Sequence, residues 1–227
     1  MSMSIGAEHF SERSPLYRLH AEARLGRIGD SCIATAHGDQ DERASAARCA
    51  LLDLSNLPRV GFRGVASAAC LQAQGFVLPG APNQALAQAD GSAVLRLSQN
   101  EYLLLGSLLD AGARVRQQEQ DWQFDGSPNY LLPRQDSHAW LLLSGRHGSE
   151  VMAKLCGVDL RAEAFPPGSV AQTSAARVNV IVANLPQGEL PGLHILCDRA
   201  SAHYFWGALL DAMQEFDGHP VGIDALP

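Results

Sequence analysis

The sequence predicts an α+β protein built as two pseudo-repeated lobes with antiparallel or mixed sheets. Three observations carry that expectation: short apolar runs bounded by glycine and proline, helical stretches between them, and the same order of elements in both halves. Strand, glycine, helix, Pro-Gly loop, strand, turn, strand and helix occur over about 50–118 and again over about 138–216. "GFRGVASAACLQAQG" lines up with "LSGRHGSEVMAKLCG", "LPG" with "PPG", and "EYLLLG" with "LHILCD". A chain of 227 residues buries roughly 70% of its extended surface on folding. One two-lobed domain over 13–216 is therefore expected, after a flexible polar tail over 1–12.

Each element has a local reason. "DQDERASAAR", from Asp39 to Arg48, is charged and small-residue rich, and reads as a loop or a short exposed helix. In "CALLDLSNLPRVGFRG", Val60 and Phe62 share one strand face and Gly64 ends the strand. "VASAACLQAQG" suits a helix lying close to a sheet, with Gly75 as its C-cap. "AVLRL" and "EYLLLG" read as strands paired through "SQN". "SLLDAGARVRQQ" reads as a helix carrying Gly112 at a cost of about 1 kcal/mol. "QQEQDWQFDGSPNYLLPRQDSH" is a polar, turn-rich bridge whose Trp122, Phe124 and Tyr130 dock either on a core or on a partner.

In the second half, "AWLLLSG" is a strand ending at Gly145 and "GSEVMAKLCG" a short helix ending at Gly157. "FPPGSVAQT" is expected as a rigid turn entering the strand "RVNVIVA", since Pro167 fixes its own φ and Gly168 tolerates a turn conformation. After "NLPQGELPG" come the strand "LHILCD" and a terminal helix in which Phe205, Leu209, Met213 and Phe216 form one apolar stripe.

Composition narrows function. With 24 acidic and 17 basic residues the net charge is −7, which argues against nucleic-acid or anionic-membrane binding. Charged residues make up only 18%, so part of the surface is expected to be covered by another molecule. Five cysteines without a C-x-x-C pair fit a reducing compartment and small core positions. The N-terminus has no signal-peptide pattern, and no run reaches the ~18 apolar residues of a membrane span. A soluble, cytoplasmic protein is expected.

Catalytic constellations are not found in the sequence. The eight histidines include no H-x-x-x-H pair, so no metal site is expected. G-x-S-x-G, G-x-G-x-x-G and the P-loop lysine motif do not occur. Asp121 and Asp125 flank aromatics in "DWQFD", but a bridge is a poor place to hold catalytic carboxyls. Arg146 and His147 stand between an apolar strand and a helix start, where amide donors and a cation can meet an anion or carboxylate. Gln172 and Thr173 are expected to line the same edge.

Four segments together carry a family resemblance: "RSPLYRL", "LLDLSNLPRVGFRG", "AWLLLSGRHGSEVMAKLCGVDLRAEAFPPGSVAQTSAARVNVIVA" and "CDRASAHYFWGALLDAMQEF". They resemble the gamma subunit of heterotetrameric sarcosine oxidase, in the superfamily of aminomethyltransferases and the tRNA-modification GTPase N-domain. The resemblance implies an aminomethyltransferase-like fold of two ferredoxin-like-type lobes. It also implies a place in a four-chain flavoenzyme that oxidatively demethylates N-methyl amino acids in sarcosine catabolism and one-carbon metabolism. By the same resemblance the alpha chain holds NAD and tetrahydrofolate, the beta chain FAD with a part in FMN attachment, and the delta chain zinc. The gamma chain carries no cofactor and no assigned catalytic residue, and packs chiefly against alpha, with beta and delta in the same complex.

The family's motifs fall on Asp53, Leu54 and Ser55, on Phe165, Pro167 and Gly168 followed by Gln172 and Thr173, and on Arg199, Tyr204 and Trp206. Trp122, Tyr204 and Trp206 are the expected partner anchors. The "R-x-G-Y-T-G-E" stretch of an active folate-dependent aminomethyltransferase has no counterpart here. The alternative is an independent folate-binding one-carbon or repair protein of the same superfamily.

Overall fold

Several strands of this chain read as continuous apolar runs because both of their faces are covered, which is the pattern a doubly buried sheet requires. In the computed structural model, residues 13–38 and 41–227 are described; the tail expected over 1–12 lies outside them. The elements are β1 (Arg24–Ile28), β2 (Ser31–Ala36), α1 (Glu42–Arg48), β3 (Ala50–Asp53), β4 (Arg59–Arg63), α2 (Ser67–Ala73), β5 (Gln84–Ala87), β6 (Ala93–Ser98) and β7 (Glu101–Leu105). They continue with α3 (Ala113–Asp121), β8 (Tyr130–Pro133), β9 (His138–Ser144), α4 (Gly148–Ala153), β10 (Val170–Ala175), β11 (Val178–Asn184), β12 (Gly192–Asp198), α5 (Ala202–Met213) and β13 (His219–Pro220).

Two large sheets result, beside the β1–β2 hairpin. One is antiparallel throughout, in the order β5-β6-β7-β4-β8. The other, β10-β11-β12-β9-β3-β13, is mixed, since β13 runs parallel to β3. Successive side chains leave a strand on opposite faces, and the cores follow that rule. Leu141 and Leu143 pack with Phe205, Trp206 and Leu209 of α5, whereas Trp140 and Leu142 pack with Leu95, Leu103 and Leu105 of the other sheet. Val60, Phe62, Tyr102 and Leu104 face outward onto Leu71 of α2 and Val115 of α3. The layers are thus helix, sheet, sheet, helix, with an apolar seam between the sheets.

The sheets also join at one corner. Ala85 N donates to Gly168 O at 2.8 Å, Val170 N to Asn83 O at 2.9 Å, and Gln172 Nε2 to Leu97 O at 2.6 Å. Gly168, at φ +87°, makes that approach.

Four expectations are corrected by this arrangement. "VAQTSA" is itself strand β10, so the Pro-Pro-Gly turn enters β10, and β11 follows through a two-residue turn at Ala176 and Arg177. Part of the polar bridge is strand β8, which pairs with β4 through Leu131 and Leu132. Helix α3 begins only at Ala113, because Gly112 sits before it at φ +71° and Asp110 caps the turn by accepting from Gly112 N and Arg114 N, each at 2.9 Å. Strand β3, inside the first sequence block, pairs with β9 in the second sheet, because Leu51 and Leu52 are apolar on both faces and fit only a doubly covered position. "ERASAAR" is helical, capped by Asp41, whose Oδ1 accepts from Ala44 N at 3.1 Å.

Candidate functional site

Three polar arrangements lie inside the fold. The first surrounds Asp53 at the end of β3. Its Oδ1 accepts from Ser55 N at 2.9 Å, and its Oδ2 meets His20 Nε2 at 3.0 Å and accepts from Ser14 Oγ. Burial pushes the carboxyl up, but the bonds from His20, Ser14 and Ser55 outweigh it and hold the group below the ordinary aspartate value. Ser14 and His20 both address the same carboxylate oxygen, so the order serine, histidine, acid needed for nucleophilic attack is not formed. The space between these side chains is about 20 Å3, room for one water. His20 lies edge-on to Trp206 at 5.5 Å and to His37 at 5.1 Å.

The second arrangement is Arg59, 1% exposed and without a carboxylate partner among the described residues. Its guanidinium donates to Ser55 O at 2.9 Å, Leu57 O at 3.0 Å, Gln135 O at 3.1 Å and His138 O. Burial, then the neighbouring Arg199 charge, lowers its pKa to about 10, and it remains a cation at neutral pH. It fastens the crossover from β8 to β9 onto the loop after β3.

The third is a cavity of about 440 Å3 in the seam between the sheets, walled by Leu54, Leu57, Leu105, Leu142 and Leu185. Ser107, Gln187 and His194 give it a polar side. Trp140 Nε1 donates to His194 Nδ1 at 3.0 Å, so the imidazole proton resides on Nε2, facing Leu185 O at 3.2 Å. Burial pushes the His194 pKa down to about 4. Among the described residues, no Asp, Glu, Lys or Arg lines this cavity. Its mostly apolar lining suits a neutral, largely apolar group.

The residues singled out from sequence are dispersed. Arg146 is exposed; its Nε donates to His147 Nε2 at 3.2 Å, and His147 Nδ1 faces Glu150 at 3.3 Å while its ring stacks on Phe216 at 4.6 Å. Gln172 is held by Asn83 and Leu97 at the sheet corner, and with Thr173 borders an open hollow of about 340 Å3 beside His138 and Asn179. Gln172 sits in the row Ile181, Leu196, Trp140, and Arg146 follows the far end of β9, so the two pairs share no edge. Trp206, expected as a partner anchor, is 3% exposed and closes the chain's own core. Tyr204 is 58% exposed, and Trp122 is half-buried against the outer core. Sequence reasoning passes over Ser14, His20, Arg59 and His194. His194 alone leaves a signal, a polar residue inside the apolar run "LHILCD".

Among the described residues no three His, Cys, Asp or Glu side chains are grouped to hold a metal ion, and no helix is long and apolar enough to cross a membrane. Two stacked sheets with helices outside them define an aminomethyltransferase-like α+β domain. Residues 84–227 match the model of the GCVT N-terminal domain, and the chain belongs to that family. A chain of the heterotetrameric sarcosine oxidase from Corynebacterium sp. U-96, solved with pyrrole 2-carboxylate, is similar at 25% identity and TM-score 0.64. That match covers 90% of this chain and 96% of the other. The glycine cleavage system aminomethyltransferase T from Bartonella henselae shares the fold at TM-score 0.70 and 17% identity. The match covers 93% of this chain but only 59% of that one. No curated protein matches the chain. The chain is thus a member of the sarcosine-oxidase and aminomethyltransferase superfamily.

Proposed function

We propose that this chain is a non-catalytic, gamma-like subunit of a sarcosine-oxidase-like heterotetramer that oxidatively demethylates N-methyl amino acids, and that it packs mainly against the folate-bearing side of an alpha chain. Beta and delta chains complete the assembly, and FAD, FMN, NAD, tetrahydrofolate and zinc reside in the partners. The observation that carries this reading is end-to-end correspondence, 90% against 96%, with a chain of a heterotetrameric sarcosine oxidase. The cavity lining without an Asp, Glu, Lys or Arg side chain and the Ser14–Asp53–His20 order, which does not suit nucleophilic attack, support it. Co-expression with the candidate alpha, beta and delta chains, followed by native mass spectrometry, tests it. A four-chain particle carrying flavin is expected. A lone monomer that turns over an amine or a folate compound would overturn the reading.

One observation favours a second reading, an independent folate-binding one-carbon or repair protein: the 440 Å3 seam cavity falls within the size range of small-molecule sites. Titration of the isolated chain with tetrahydrofolate separates the two. Saturable binding supports the second, and none supports the subunit.

A further inference from the structure

The surface where α3 ends and β8 begins carries an exposed aromatic patch. Phe124 is 58% exposed and Tyr130 51% exposed, and their rings stack at 5.9 Å and 18°. Trp122 stands 6.5 Å from Phe124, half-buried on the outer core. Val65, 70% exposed, adjoins the patch, since the next residue's amide, Ala66 N, donates to Pro128 O. Strand β8 is the last of its sheet and, among the described residues, pairs only with β4. Aromatic rings held in place beside an open strand edge are what a docked chain would cover.

Charge selects the occupant. Asp121 and Asp125 bracket Trp122 and Phe124 and are exposed. Asp121 Oδ1 accepts from Gln117 Nε2 at 2.6 Å and Asp125 Oδ1 from Ser127 N at 2.8 Å, both neutral donors. The nearby cations are directed elsewhere: Arg63, in register with Tyr130, and Arg134 both turn to Glu101, and Arg114 pairs with Asp90 at 2.8 Å. The patch therefore combines open π faces with carboxylates that no cation of the described residues neutralises. A guanidinium satisfies both, stacking on a ring while bonding a carboxylate.

We infer that the Trp122–Phe124–Tyr130 surface docks an arginine-bearing extended segment of a partner protein along β8. The inference does not depend on the subunit reading, because it is tested on the full chain alone with a defined peptide. The probe is a capped hexapeptide alternating arginine and leucine, with its glutamate–leucine counterpart as the control. Trp140 and Trp206 are 2% and 3% exposed, so changes in tryptophan emission report on Trp122. Saturable binding of the arginine peptide is expected, at least tenfold tighter than the glutamate peptide. Phe124→Ala with Tyr130→Ala, and separately Asp121→Asn with Asp125→Asn, each weaken it about tenfold at unchanged urea midpoint. Equal affinity for both peptides, the absence of saturable binding, or undiminished binding by either double variant overturns the inference.

Discussion

Protonating His194 sets two penalties against the folded state. The charge is buried, and a proton on Nδ1 would face the Trp140 N–H that now donates to it at 3.0 Å. The group titrates at about 4 in the fold against an ordinary 6.5. A folded-state pKa below the unfolded one means that the unfolded chain binds the extra proton. The stability from neutral His194 is therefore complete above pH 6.5 and drains away as pH falls toward 4. Its slope is about 1.4 kcal/mol per pH unit, or ~3 kcal/mol over the whole window. His194→Asn isolates this contribution: the amide oxygen takes the place of Nδ1 and still accepts from Trp140, but the bond to Leu185 O is lost. The variant should be about 1–2 kcal/mol less stable than wild type at pH 8 and should draw level with it by about pH 5. Urea unfolding at each pH from 8 to 5, followed by far-ultraviolet circular dichroism, gives both curves. Parallel curves across that range would refute the buried-neutral assignment. His37 and His138, each also lowered to about 4 by burial, add acid sensitivity of the same sign. Their partial exposure screens the effect, and it is common to both proteins.

Arg59→Met strips donors from four backbone carbonyls, two of them buried and two part-buried, and by the usual cost of breaking buried charged bonds it should lower stability by about 3 kcal/mol; limited proteolysis should then cut first within 133–138. Ala176→Asn with Arg177→Gly replaces residues at φ +46° and +66° by ones suited to a two-residue hairpin, and a gain of about 1 kcal/mol in urea unfolding is expected. Gly112→Ala forces a Cβ to 2.2 Å from Pro58 Cδ at φ +71°, so a loss of at least ~2 kcal/mol is expected, read as a lowered midpoint.

The two-sheet architecture is legible because β4, β6, β7 and β9 carry their own signals. β6, β7 and β9 are largely apolar runs and β4 alternates Val60 with Phe62, and each is closed by a turn residue: Gly64 after β4, Gln99 and Asn100 after β6, Gly106 after β7 and Gly145 after β9. What escapes are strands whose pattern depends on a neighbour. "VAQTSA" has only Val170 and Ala175 buried, and its polar residues face the sheet corner and the open hollow, so by itself it reads as loop. "YLLP" ends on proline and is exposed at both ends, as an edge strand tolerates. Gly112 misleads in the opposite direction. Inside a helical pattern it reads as a defect, whereas the close approach of Pro58 and the left-handed turn make it the residue that starts the helix.

The interior polar groups are illegible for a different reason. Ser14 and His20 lie 39 and 33 positions from Asp53, and Trp140 lies 54 from His194, so no spacing rule could join them. Their meaning lies in what each is bonded to. Asp53 is spent on Ser14, His20 and Ser55, Arg59 on four carbonyls, and His194 on Trp140 and Leu185. A reacting centre keeps at least one such group poised toward a substrate at the working pH. Here the buried ionisable groups described above are bonded within the fold, and the exposed aromatic and acidic side chains gather on the outside, at Phe124, Tyr130, Asp121 and Asp125. The subunit proposal accounts for this division, because exposed aromatic and acidic side chains of that kind are what a partner protein would cover.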